Sequence, residues 1–293
     1  MTLKPEAELC VAGLVYFEVF IPGARMPAPG EEVFVEELRL GLGGALNTAS
    51  VASALGLNVV LAHPCGGGLS DAAITQEISR LGIASMTWPA KRDPAVSLVF
   101  SGPEDRAFVS AADFQSLGAC GALPVARWIH VPGLLEARYM AGPLAQARRA
   151  GARISVSGSW APGELAGLRT HFSQPWDLLV LNAKEAVAAA EDLRQAPERL
   201  QGAAASVVVT AGAEGAFGLL QGAAVSCPGE QVTVKDFTGA GDAFCAGLLA
   251  SLMHGAAGES ALRHGCRVAA RVLTQAGGVV EDAALLAGIE RAT

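Results

Sequence analysis

Basic residues are in deficit in this chain. Its 21 Lys and Arg face 28 Asp and Glu, for a formal net charge of −7. That balance leaves no basic face for a polyanion, so nucleic acid is not expected as a partner. Small anions are not excluded, because the start of a helix binds them without net positive charge. The cysteines (10, 65, 120, 227, 245 and 266) lie far apart and include no C-x-x-C pair. They fit buried reduced thiols of a cytoplasmic protein better than a disulfide framework or a zinc site. The histidines are as scattered, with no H-E-x-x-H. No apolar stretch reaches the ~20 residues that cross a bilayer. Glu6 and Glu8 stand where a signal peptide would be basic, so neither membrane span nor signal peptide is expected. Also missing are a G-x-x-x-x-G-K-S/T phosphate loop, a G-x-G-x-x-G turn, a G-x-S-x-G elbow and the protein-kinase motif set.

What is present is ample apolar material. Over 293 residues, 51% are hydrophobic and 17% charged, enough for one large or two modest domains. Aromatics make up only 5%, so Ala and 35 Gly carry much of the apolar fraction, a composition suited to close helix–sheet packing. Short apolar runs at 9–13, 58–62, 97–101, 128–131, 153–157, 178–181 and 206–210 read as strands. Between them, 45–55, 72–81, 138–149, 185–193 and 195–201 read as helices, the first two closed by Gly56 and Gly82. Repeated β-α-β units predict a mainly parallel sheet with helices on both faces. Segments 14–40 and 93–112 break that rhythm. The first is punctuated by Pro22, Gly23, Pro27, Pro29 and Gly30, with Val33, Val35, Leu38 and Leu40 as half-exposed strand positions. The second bends at a Gly102–Asp105 turn. Together they predict a small β-sheet lid.

Four constellations carry chemistry. Asp236-Phe237-Thr238-Gly239-Ala240-Gly241-Asp242 lies between a β-like run, Gln231–Val234, and an apolar helical pattern at Phe244, Leu248, Leu249 and Leu252. Small residues at a helix start expose unpaired N–H groups to an anion. Asp242 would then sit where a phosphoryl group is attracted, as a base aimed at a hydroxyl; a plain capped turn is the other explanation. Gly41-Leu42-Gly43-Gly44 opens the helix that carries Asn47, within reach of a polyol. Asn182 and Glu185 follow a strand, where they are placed to order waters on Mg²⁺ or to form a capping box. Thr210 and Gly212 end another strand, facing nucleotide phosphates or making an ordinary turn.

In this order the runs resemble the ribokinase (PfkB) family of carbohydrate and nucleoside kinases, over nearly the whole chain. The resemblance implies one ribokinase-like domain over 1–293, a three-layer α/β/α fold with a β-sheet lid from about 14–40 and 93–112, and dimerisation through that lid. It implies ATP and Mg²⁺ and leaves a monovalent cation open. Asp242 would be the catalytic base and Gly239, Ala240 and Gly241 the anion hole for the γ-phosphoryl group. Glu18, Gly43, Gly44 and Asn47 would bind the acceptor. Asn182, Glu185, Thr210, Gly212 and Thr238 would lie at ATP, with Glu185 holding Mg²⁺ through water. The expected acceptor is a hydroxyl of a sugar or sugar acid. A nucleoside is the alternative, with Tyr16, Phe17, Phe20, Phe34 and Phe108 as candidates to stack a base, and a non-catalytic binding protein is the reading from another class. The chain departs from the family pattern at Glu18 and Ser157, where Asp is usual, at Phe237, where Thr is usual, and in the loose turn Cys65–Asp71.

Overall fold

The computed structural model describes residues 6–22, 27–101, 106–168 and 175–289. Its strands are β1 (Ala7–Ala12), β2 (Val15–Pro22), β3 (Arg39–Gly44), β4 (Val59–Cys65), β5 (Ala84–Pro89), β6 (Ala95–Ser101), β7 (Arg106–Ala112), β8 (Ala126–Val131), β9 (Arg153–Ser157), β10 (Leu178–Asn182), β11 (Val207–Thr210), β12 (Ala216–Leu220) and β13 (Ala223–Cys227). The nine-stranded main sheet runs β13-β12-β11-β10-β9-β8-β1-β4-β5. It is parallel from β11 to β5 and ends in the antiparallel β12–β13 hairpin.

Side-chain alternation fixes which face each strand residue serves. Leu9, Val11, Leu178, Val180 and Val208 pack with the Ala45–Ala54, Leu69–Arg80, Ala240–Met253 and Gly258–Val272 helices. Their neighbours Cys10, Ala12, Leu179, Leu181, Val207 and Val209 pack on the other face, with the Leu134–Tyr139, Ala141–Arg149 and Ala183–Ala190 helices. Both faces are covered, so the parallel strands are apolar throughout. Glycine lets the longest helices meet closely. A Cβ on Gly247 would lie 2.9 Å from the Val268 side chain, and one on Gly265 would press on the Phe244 ring at 3.0 Å.

Segments 14–40 and 93–112 supply the second sheet, of order β3-β2-β6-β7. The Gly102–Asp105 turn and Gly23 lie outside the described residues. Three expectations need correction. Val33, Val35 and Leu38 are not in a strand: pairing with β2 starts only at Arg39, opposite Phe20, and in that register Val33 and Val35 fall beyond the end of β2 at Pro22. Gln231–Val234 forms no strand either: the segment leads to the end of the Gly258–Val272 helix, where the Lys235 N–H donates to the Leu273 carbonyl, and it pairs with no strand. The 138–149 helix is two, meeting at Met140. Among the described residues no helix is long and apolar enough to cross a membrane.

Replacing Gly247 by Val should force the two long helices apart and lower stability by about 1–3 kcal/mol. A shift of the urea midpoint at constant m-value would register it, and an unchanged midpoint would show that the contact is not limiting.

Candidate active site

Strand β1 leads through the lid and the Ala45–Ala54 helix to β4 on one side, while β8 lies on the other. Such a switch point leaves a crevice beyond the carboxyl ends of the strands. A cavity of roughly 350 Å³ opens there, between the ends of β8 to β11 and the start of the Ala240–Met253 helix.

The turn before that helix is held by one carboxylate. Oδ1 of Asp236 accepts the Thr238 N–H at 2.9 Å and the Thr238 hydroxyl at 2.6 Å. Oδ2 accepts the Gly277 N–H at 2.9 Å and Arg39 Nη2, from the lid, at 3.3 Å. Gly239 follows at φ +76°, where a Cβ would collide with the Gly278 backbone, so the turn needs glycine on both counts. Gly239, Ala240 and Gly241 line the cavity, and Asp242 stands in the first helical turn with its carboxyl on the same space.

Asp242 is set from the side. Asn47 donates Nδ2–H to its Oδ2 at 2.9 Å, and the Thr48 hydroxyl donates to Oδ1 at 3.4 Å. Burial pushes the Asp242 carboxyl up to about 6, against these two hydrogen bonds, which favour the charged form. Asn182 and Glu185 form a reciprocal capping box, with the Glu185 N–H on Asn182 Oδ1 and the Asn182 N–H on Glu185 Oε2, each at 2.9 Å. Both also line the cavity, so cap and ligand roles coincide in position. Burial raises the Glu185 carboxyl above its usual range.

A second cavity of roughly 560 Å³ adjoins the first and shares Thr210, Phe237, Ala240 and Gly241 with it. Gly212 lines this one, among walls that include Val232, Val234, Phe244 and Leu273. The site thus brings together Gly44, Asn182, Glu185, Thr210, Gly239, Ala240, Gly241 and Asp242 around the first cavity.

Other candidate residues stand behind its wall. Thr238 is turned into the Asp236 clamp. Asn47 holds Asp242 rather than lining the cavity. Glu18 is buried in the lid with its carboxylate over Gly43, where a Cβ would lie 2.5 Å from Oε1. Among the aromatic candidates Tyr16 reaches the cavity, Phe17 and Phe20 line a separate groove under the lid, and Phe34 and Phe108 are exposed.

Two residues were not anticipated. Thr48 was hidden in a small-residue helix, and Glu136 lies in the Leu134–Tyr139 helix just after β8. The Glu136 Oε1 accepts the Leu14 N–H at 2.8 Å, joining the segments that follow β8 and β1. Burial lifts this carboxyl to about 8, and Asp242 adds repulsion. Its signal in the sequence was a lone acid inside the apolar run Leu134–Ala137, at the carboxyl end of a strand.

The model of the pfkB family carbohydrate kinases matches residues 7–282. The chain belongs to that family. Members such as fructokinase and phosphofructokinase are phosphotransferases with alcohol acceptors. Within it, a fructokinase of Rhizobium leguminosarum bv. trifolii is 59% identical over 46 residues, 16% of this chain and 14% of that one. The bifunctional protein HldE of Bradyrhizobium sp. (strain ORS 278) is 28% identical over 305 aligned positions, 92% of this chain and 60% of that one. This chain therefore spans less than two thirds of the length of the curated relatives it matches. A solved nucleoside kinase of Burkholderia thailandensis, in complex with inosine, superposes with a TM-score of 0.78 at 19% identity, covering 95% of this chain and 94% of that one. At that identity the likeness establishes the ribokinase-like fold.

The Asp242 carboxyl should titrate near pH 6. Asn47→Ala removes a bond to the charged form, so the midpoint should move up by roughly half a unit or more. Carbon-13 NMR of labelled aspartate reads this directly; a midpoint that stays put or falls would contradict the assigned bond.

Proposed function

We propose that this chain is an ATP-dependent kinase that moves the γ-phosphoryl group onto a hydroxyl of a small sugar-type acceptor held in the first cavity. The observation that carries the proposal is that Asp242 and the Gly239–Gly241 backbone open on one cavity. An acid in a first helical turn is commonplace electrostatically. This one is aimed by Asn47 and Thr48, and its pKa near 6 keeps it a competent base at neutral pH.

In this mechanism Asp242 takes the proton of the attacking hydroxyl. The N–H groups of the turn meet the charge spread over the transferred group, without having to reorganise. Gly44, at φ +67°, packs so closely on the Leu14 carbonyl that a Cβ would collide with it, and it lines the space for the acceptor. The apolar walls of the second cavity suit a purine ring. Thr210, on the boundary between the two spaces, and Gly212 would stand at the phosphates.

Mg²⁺ fits the donor set. Asn182 and Glu185 offer hard oxygen-bearing side chains at the cavity. No cage of three or more His, Cys, Asp or Glu surrounds them among the described residues, as suits an ion that keeps most of its waters. These two residues would hold the hydrated ion, which supplies charge compensation to the nucleotide phosphates. A nucleoside acceptor is the second reading, supported by Tyr16, Phe114 and Trp160 along the first cavity, whose rings offer faces for a base.

Asp242→Asn keeps the turn and removes the base, so ATP-dependent phosphorylation should fall by about 10²–10⁴-fold with nucleotide binding retained. ADP release over a panel of sugars, sugar acids and nucleosides measures it, and turnover equal to that of the parent would refute the role. Glu185→Gln preserves the capping box but weakens the metal shell. The Mg²⁺ concentration for half-maximal rate should rise about 10–100-fold, whereas a pure cap predicts no change.

A further inference from the structure

The electrostatics of the first cavity bear on which acceptor it takes. Its charged lining consists of Glu136, Glu185 and Asp242, and no Lys, Arg or His lines it among the described residues. Two arginines on elements that line it are engaged elsewhere. Arg39 is bound to Asp236 and lies over the Phe20 ring at 4.4 Å, and Arg138 is bound to Glu164 at 2.7 Å. The remaining polar lining is neutral: Tyr16, Ser157, Ser159, Asn182 and Thr210.

Glu136 is the acid without a part in phosphoryl transfer. One of its oxygens serves the Leu14 N–H, whereas Oε2 accepts no hydrogen bond among the described residues. Glycine makes the space around it. A Cβ on Gly13 would lie 3.1 Å from the carboxylate, and one on Gly133 3.1 Å from Oε2. A carboxyl so enclosed, with one oxygen directed to no protein group, suits a hydroxyl of a bound polyol. An acid or phosphate at the Glu136 end of the acceptor would instead meet the carboxyls of Glu136 and Asp242 with no Lys, Arg or His beside them among the described residues, in a partly enclosed space where such repulsion is less screened than in bulk water.

We propose that the acceptor is an uncharged polyhydroxylated molecule, a neutral sugar or the sugar of a nucleoside, bound through Glu136, and that sugar acids and sugar phosphates are excluded. This deepens the kinase reading and rests on its choice of cavity. Glu136 is assigned here as an acceptor-binding residue, separate from the base. With its carboxyl raised to about 8, it is largely protonated at neutral pH and able to donate to the acceptor as well as accept from it.

Calorimetric titration of the full chain, without nucleotide, with neutral pentoses, hexoses and nucleosides and with their acid and monophosphate counterparts tests the proposal. At least one neutral compound should bind, and its charged counterparts should bind at least about 100-fold more weakly. An acid or phosphate within tenfold of its neutral counterpart overturns the inference, as does a panel in which no neutral compound binds. ADP release on the same panel separates the two claims: neutral binding without turnover sinks the kinase reading and leaves the charge selection standing. Glu136→Leu should raise the Kd or KM for the acceptor about tenfold or more with the KM for ATP unchanged, and Glu136→Gln, which still accepts from Leu14, should restore most of it. Acceptor affinity unchanged in a folded Glu136→Leu protein overturns the assignment. Should that variant fail to fold, the wild-type titrations still decide the charge selection.

Discussion

A single carboxylate ties together the parts of the molecule that must agree for the site to exist. Asp236 holds the turn through the Thr238 amide and hydroxyl, the C-terminal segment through the Gly277 amide, and the lid through Arg39. These four donors satisfy both oxygens of a partly buried carboxylate. The arrangement fixes Gly239 in its left-handed conformation against Gly278 and so aims the first amides of the Ala240–Met253 helix into the cavity. Because Arg39 starts β3, the lid and the glycine turn share this joint.

The sheet supplies the rest of the placement. Parallel strands end on a common side, so Ser157, Asn182 and Thr210, widely spaced in the chain, arrive at one rim by following β9, β10 and β11. The crevice opens where the connections part on either side of β1. Glu136 bridges that point by bonding the Leu14 amide, so the same contact closes the crevice floor and presents an acid to it. Small residues make this density achievable. Gly13, Gly133 and Gly158 each sit where a Cβ would press on the carboxylate of Glu136 or Glu185.

Legibility in the sequence followed the range of the interactions. The alternation of strands and helices, the lid segments and the glycine turn are local patterns and could be read directly. Helix 258–272 escaped despite a clear spacing of Ala261, Leu262, Gly265, Cys266 and Val268, because small residues dilute a hydrophobic stripe. β12 and β13 escaped for a related reason: Ala216–Leu220 and Ala223–Cys227 hold only one β-branched residue, Val225. At the site, Asn182 and Glu185 are three residues apart and were readable as a pair. Asn47 and Asp242 are 195 residues apart, and nothing local says that the amide donates to this carboxylate. The surroundings of Glu18 were equally out of reach, since strand position fixes its face but not that Gly43 opens a space for its carboxylate within the lid.

The cost of this design falls on carboxylates. Asp242, Glu136 and Glu185 all fold with raised pKa values, mainly through burial, and Asp242 adds repulsion at the other two. Between its unfolded and folded values each group binds more protons in the native state than in the unfolded one. Stability therefore falls as pH rises through that interval, and the deficit persists above it. For Asp242 the interval runs from the ordinary aspartate range to about 6, and for Glu136 from the glutamate range to about 8. Neutral pH lies above the first and inside the second. Asp242 is then ionised at the expense of the fold, whereas Glu136 stays mostly protonated and adds little charge beside it. Two acids in one cavity are thus assigned different protonation states by their surroundings. Asn47 and Thr48 stabilise the charge on Asp242, and the single amide of Leu14 is too little to do so for Glu136.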